Sequence, residues 1–166
     1  TAFRKADTII DFSLPESTLE TVKYATKLKK KLVIGTTGLN SKQISQIKNA
    51  SKKTAIVFAP NMSIGINLMI KLVDEASNIL FNNNTSVEIL DIHHKNKKDA
   101  PSGTALALAN AVVKAKNFNL KKKSTMKPNK KRKKQLGKIN FYCKRQGSIV
   151  GDHSVIFTNN GEEIEL

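Results

Sequence analysis

Between Ala6 and Asn61 three short apolar runs alternate with two helical stretches, and that order dictates how the chain can pair its strands. ADTIIDFS (Ala6–Ser13) is rich in β-branched residues and predicts a buried strand. PESTLETVKYATKLKK follows, with Pro15 suited to a first helical turn and Leu19, Val22, Ala25 and Leu28 spaced as one apolar stripe. KLVIGTTG (Lys31–Gly38) predicts a second strand and turn. NSKQISQIKNASKK predicts a polar helix capped by Ser41, with Ile44 and Ile47 facing inward. TAIVFAPN (Thr54–Asn61) completes the series. Strands separated by helices and short connections are βαβ units, which require a parallel sheet. Ligands on such sheets sit at the carboxyl ends of the strands, here DFS, GTTG and APN.

The pattern changes after Ser63. SIGINLMIKLVDEASNIL predicts a long helix, TSVEILDIHH (Thr85–His94) a strand and SGTALALANAVVKAK an Ala-rich helix. KINFYCKR, SIVGDHSVIFTN and EEIEL are short β-type runs, expected to form an antiparallel or mixed sheet. The expected fold is therefore α/β: residues 1–63 form a partial Rossmann-like parallel-sheet domain, and residues 64–166 an α+β domain.

The formal charge of +16 raises the question of a nucleic-acid partner. Lysine predominates over arginine, and 7 Phe and 2 Tyr with no Trp leave little to stack on bases. No nucleic-acid partner is expected; the lysine-dense LKKKSTMKPNKKRKKQLG is expected to be a solvated connection. No run reaches the roughly 18 apolar residues of a membrane span, and the opening TAFRKADTIIDFS predicts no secretory leader. Cys143 is the single cysteine, which predicts a reducing, cytoplasmic setting and no structural zinc or other metal site.

Chemistry concentrates in IHHKNKKDAPSGTA (Ile92–Ala105). His93 and His94 end a strand and point to opposite faces, so one can meet a cleft. Asp99 and Pro101 make a turn, and Ser102 can cap the Ala-rich helix. The amides of Ser102, Gly103 and Thr104 would then form an anion site, with Lys97 and Lys98 adding positive charge. A group titrating near neutrality, an ammonium and an anion cradle suit acid–base chemistry on a carboxylate or phosphate. GTTG at Gly35–Gly38 is explained equally well by a ligand contact or by a plain turn, and APN is weaker still.

VEILDIHHKNKKDAPSGTA closely resembles the signature of the bacterial 4-hydroxy-tetrahydrodipicolinate (dihydrodipicolinate) reductase family. DFS (Asp11–Ser13), VIGTTG (Val33–Gly38), APNMSIGIN (Ala59–Asn67) and GSIVGDH (Gly147–His153) follow in family order. The resemblance implies reduction of a cyclic dicarboxylate imine on the diaminopimelate route to lysine, with NADH or NADPH as cofactor. It assigns His93 as acid/base and Lys97 as proton donor. It places His94, Gly103 and Thr104 at the substrate, with Ser102 beside them at the helix start. Phe12, Ser13, Gly35, Thr36, Thr37, Ala59, Pro60, Asn61 and Met62 fall at cofactor positions. It also implies a homotetramer joined through the second domain's sheet. The family's glycine-rich opening turn and final segment have no counterpart here, the pattern of a fragment. The alternatives are an inactive fragment or assembly module of that enzyme, and a basic nucleic-acid-binding protein.

Overall fold

The computed structural model describes residues 2–129, 131–132 and 134–166, with the backbone alone over 125–129. The chain divides into two compact units between Met62 and Ser63.

In the first unit a short helix, α1 (Ala2–Lys5), precedes β1 (Thr8–Asp11), α2 (Pro15–Lys27), β2 (Lys31–Ile34), α3 (Ser41–Ala50) and β3 (Ile56–Phe58). The three strands form a parallel sheet in the order β1-β2-β3, with Ile10 opposite Val33 and Ile34 opposite Phe58. Val22 and Ala25 of α2 pack on Leu32, Ile34 and Ile47. The opposite sheet face leaves Ile10 71% and Val57 55% exposed. Two details differ from the sequence reading. Asn40, not Ser41, caps α3: its side chain accepts from the Gln43 amide while the Gln43 side chain accepts from the Asn40 amide. That reciprocal box satisfies two donors where a Ser41 cap would satisfy one. Ile44 remains 41% exposed, because α3 rests on the core through Ile47.

The second unit opens with α4 (Ile64–Leu80), capped by Ser63, then β4 (Ser86–His93), α5 (Gly103–Lys114), α6 (Leu120–Lys123) and β5 (Ser124–Asn129). β6 (Ile139–Arg145), β7 (Asp152–Asn159) and β8 (Glu162–Glu165) complete it. The sheet order is β5-β6-β4-β7-β8. The three final runs are not purely antiparallel: β6 runs parallel to β4 and to β5, while β7 is antiparallel to β4 and β8 to β7. The connections explain the mixture. β4 and β6 are separated by two helices, long enough to return the chain in the same direction, while β7 and β8 are joined by a tight turn.

β4 is central, so its residues are buried on both faces rather than alternating. Val87, Ile89, Phe141, Val155 and Phe157 pack under Val73, Leu108 and Val112 of the two long helices. Each such side chain contributes about 1.5–3 kcal/mol. This packing makes the β4 end a rigid platform.

The lysine-dense stretch is not wholly a connecting loop, since its first part forms α6 and β5 along the open edge of β6. Lys130 and Lys133 lie outside the described residues. Arg132 meets the buried Glu88 carboxylate, and Lys134 lies 2.6 Å from Glu163, so part of the basic charge is matched by acids of the sheet.

Candidate active site

The second unit gathers its titratable groups where β4 ends. Asp91 sits two positions before His93 on the same face of the strand, and its side chain is fully buried. A carboxylate there needs partners, and four segments of chain supply them. The Ser102 amide donates to Oδ2 at 2.8 Å, and the Arg145 guanidinium at the end of β6 donates to the same oxygen at 3.0 Å. His93 Nδ1 lies 2.9 Å from Oδ1, and His153 Nε2 from β7 lies 3.4 Å from it. The His93 contact is close in distance but not aligned as a hydrogen bond in this conformation.

Burial pushes the Asp91 carboxyl up, but bonds from His153, from the Ser102 amide and hydroxyl and from Arg145 outweigh it and hold the group well below the usual carboxylate range. His93 moves the other way. Burial drives its ring below the ordinary histidine value; the Asp91 charge opposes this, while His153, Lys97 and Arg145 reinforce it. The neutral imidazole is therefore the resting form of His93 near pH 7. Its ring meets that of His153 edge to face, with centroids 5.0 Å apart.

Ser102 caps α5 as the sequence predicts, its hydroxyl accepting from the Ala105 amide at 3.2 Å and lying 3.3 Å from His153 Nε2. The Ser102 amide, however, is not part of an anion cradle, because Asp91 takes it. The cradle narrows to the first-turn backbone of Gly103 and Thr104. Lys97 is partly exposed and its ammonium lies 2.8 Å from Asp99 Oδ1. That ammonium holds the Asp99 carboxyl below its usual range against the opposing effect of burial. His94 is half-buried just past β4, and its carbonyl accepts from the Lys97 amide. His93, His94, Lys97, Ser102, Gly103 and Thr104 thus share one end of the sheet. Cys143 is half-buried beside Asp91, and burial with that neighbouring charge pushes its thiol up to about 12.

Sequence reasoning missed Asp91, Arg145 and His153 as members of the site. Asp91 carried one signal, an acid two positions before His93, which β4 shares with a second acid, Glu88. Arg145 and His153 lie on strands whose pairing with β4 the chain order alone does not reveal.

In the first unit the proposed cofactor residues meet at the strand ends. The Gly35 amide donates to the Asp11 carbonyl and the Ala59 amide to the Ile34 carbonyl, which levels the three ends. Phe12 lies over Gly35 so closely that a Cβ there would sit 2.0 Å from the ring. The Ser13 amide donates to Asp11 Oδ1. Thr36 is buried and accepts a bond from the Thr18 hydroxyl, whereas Thr37 is exposed. Ala59 and Asn61 are half-buried, and Pro60 and Met62 are exposed. Gly35 is thus demanded by the Phe12 ring, and the exposed Phe12 and Thr37 stand at the strand ends where such sheets bind ligands.

Taken together, these features define a two-unit α/β protein: a parallel-sheet unit of dinucleotide-binding type and a unit with a carboxylate–histidine centre beside a helix start. Residues 1–62 match the family model for the N-terminus of dihydrodipicolinate reductase, and residues 65–166 match that for its C-terminus. The chain belongs to the dihydrodipicolinate reductase family. It is 44% identical over 166 residues to the 4-hydroxy-tetrahydrodipicolinate reductase of Buchnera aphidicola subsp. Cinara cedri, covering 98% of this chain and 59% of that protein. It is 45% identical over 166 residues to the enzyme of that name from Bordetella pertussis, covering 99% of this chain and 61% of that one. Among solved structures, a dipicolinate-bound dihydrodipicolinate reductase from Paenisporosarcina sp. TG-14 aligns with TM-score 0.68 and 26% identity. That alignment covers 98% of this chain and 61% of the other. The chain therefore spans about three fifths of the length of the relatives it matches.

Proposed function

We propose that this chain carries the reducing centre of a 4-hydroxy-tetrahydrodipicolinate reductase, which converts its cyclic substrate to tetrahydrodipicolinate with NADH or NADPH. The observation that carries the reading is the convergence of His93, Lys97 and the Gly103–Thr104 helix start on the platform built around Asp91.

The substrate is a dicarboxylate. Lys97 and the first-turn backbone of α5 provide a cation and helix-end amides for one carboxylate, and His94 stands beside them. Phe12, Ser13, Gly35, Thr36, Thr37 and Ala59–Met62 would hold the nicotinamide cofactor, which supplies the hydride when bound. The ring that has accepted hydride is electron-rich and needs a proton, which Lys97 would give. His93, neutral at rest, takes and returns a proton as the substrate hydroxyl departs as water. The buried platform holds these groups still, so proton transfer proceeds with little reorganisation.

The same reading places the protein in the cytoplasm; among the described residues no helix is long and apolar enough to cross a membrane. It also gives a homotetramer joined through the five-stranded sheet, whose mass light scattering would measure. The dicarboxylate reading is tested by titrating the chain with dipicolinate. Saturable binding that weakens about 10-fold or more in Lys97→Ala is expected. Absence of saturable binding to the wild-type chain would contradict it.

A further inference from the structure

Asp91 is more than a buried counter-ion. Its Oδ2 is occupied by the Ser102 amide and Arg145, while Oδ1 faces the two histidine rings. The Nδ1 edge of His93 is sealed against that oxygen. The Nε2 edge faces the other way, towards Gly151, an exposed residue on the loop before β7. A Cβ at Gly151 would lie 2.9 Å from His93 Nε2 and 3.3 Å from His153 Cε1. The ring thus has one buried edge against a carboxylate and one edge against Gly151, where no side chain intervenes.

A neutral imidazole carries one proton, and its position decides which nitrogen can accept another. With the proton on Nδ1, an N–H faces the Asp91 carboxylate and Nε2 offers its lone pair on the Gly151 side. With the proton on Nε2, an acceptor nitrogen lies 2.9 Å from a carboxylate oxygen in a buried site with no proton between them, which is unfavourable. Histidine's broad χ2 well allows the small rotation that aligns Nδ1–H with Oδ1.

We propose that Asp91 is the positioning residue for His93: it holds the proton on Nδ1 and so makes Nε2, on the Gly151 side, the atom that exchanges protons. The assignment of a proton-transfer role to His93 rests on the proposed reductase function; the assignment of its tautomer does not. In the exchange, Nε2 accepts a proton to give the imidazolium, whose charge Asp91 balances, and later releases that proton; the Nδ1 proton stays throughout. The charged and titratable groups facing the ring are Asp91, His153, Lys97 and Arg145. The proposal therefore makes a specific demand of Asp91→Asn. An amide keeps the shape but not the charge, so the variant loses the preference for Nδ1–H and the ring titrates at lower pH.

The test is long-range proton–nitrogen NMR of the histidine side chains in the chain itself. The wild type is expected to show His93 as the Nδ1–H tautomer near neutral pH; finding the Nε2–H tautomer overturns the proposal without any variant. In Asp91→Asn, mixed tautomers and a downward shift of the His93 titration are expected, while Asp91→Glu retains the Nδ1–H form. An unchanged tautomer and titration in folded Asp91→Asn also overturns it. In the complete protein, Asp91→Asn is expected to lower kcat about 100-fold with little change in KM, and to move the His93 ionisation in the pH profile to lower pH. The NMR result stands whether or not the wild type reduces the expected substrate, so the two readings fail separately.

Discussion

His93 Nδ1 and Asp91 Oδ1 lie 2.9 Å apart, the carboxylate fully buried and the imidazole nearly so. Three further segments close on the same carboxylate: the Ser102 cap of α5, Arg145 of β6 and His153 of β7. Fold and site are therefore energetically joined at one residue.

Asp91→Ala removes the acceptor of the Ser102 amide and the counter-charge of the largely buried Arg145 guanidinium, which keeps only backbone carbonyls as partners. Breaking such a pair costs about 3–5 kcal/mol. Urea unfolding followed by a probe in the second unit should show that loss; a change under about 1 kcal/mol would mean that water replaces the carboxylate easily.

Stability should fall on acidification, and the two groups act with the same sign. The folded value of His93 lies below its ordinary value of about 6.5. The unfolded chain therefore takes up the proton first, and stability declines as pH drops from about 6.5 towards the folded value. Asp91 is held below the ordinary carboxylate value, so its contribution is present above about 3.9 and is lost as pH falls further. Unfolding free energy measured against pH should show both phases, and His93→Gln should abolish the upper one. Stability that rises between pH 7 and pH 5 would contradict the assignment.

Gly151→Ala places a methyl group against His93 Nε2 and His153. The expected effect is a displaced His93 ring and at least a 10-fold lower kcat, with dipicolinate binding through Lys97 and the helix start largely kept. Unaltered histidine NMR shifts in this variant would show that the ring is not confined on that side.

Cys143 should be a slow nucleophile, since its thiol is pushed up to about 12 beside Asp91. Alkylation near neutral pH, followed by mass spectrometry, should be much slower than for a free thiol under the same conditions. Urea should accelerate it by exposing the residue; rapid labelling of the folded chain would contradict the burial.

The parallel first sheet was legible because βαβ alternation leaves few other solutions, and the Ser102 cap because a hydroxyl residue directly preceded an apolar helical run. The α3 cap was misplaced by one residue because Asn40 and Ser41 are both good capping residues, although Gln43 three positions after Asn40 marked the box. What could not be read was the pairing. Arg145 and His153 lie 54 and 62 positions beyond Asp91 in the chain. Only the parallel placement of β6 and the antiparallel placement of β7 beside β4 bring them to it. The lysine-dense stretch hid β5 because edge pairing is a backbone property that side-chain composition barely reports.

The central claim is that the His93–Lys97 centre performs proton transfer in a nicotinamide-dependent reduction. It is tested most directly by following reduced-cofactor absorbance with freshly generated 4-hydroxy-tetrahydrodipicolinate in the complete protein, with and without His93→Gln and Lys97→Ala together. Turnover is expected in the wild type, with a loss of at least about 100-fold in the double variant and the fold retained. Wild-type rates in the double variant would contradict it.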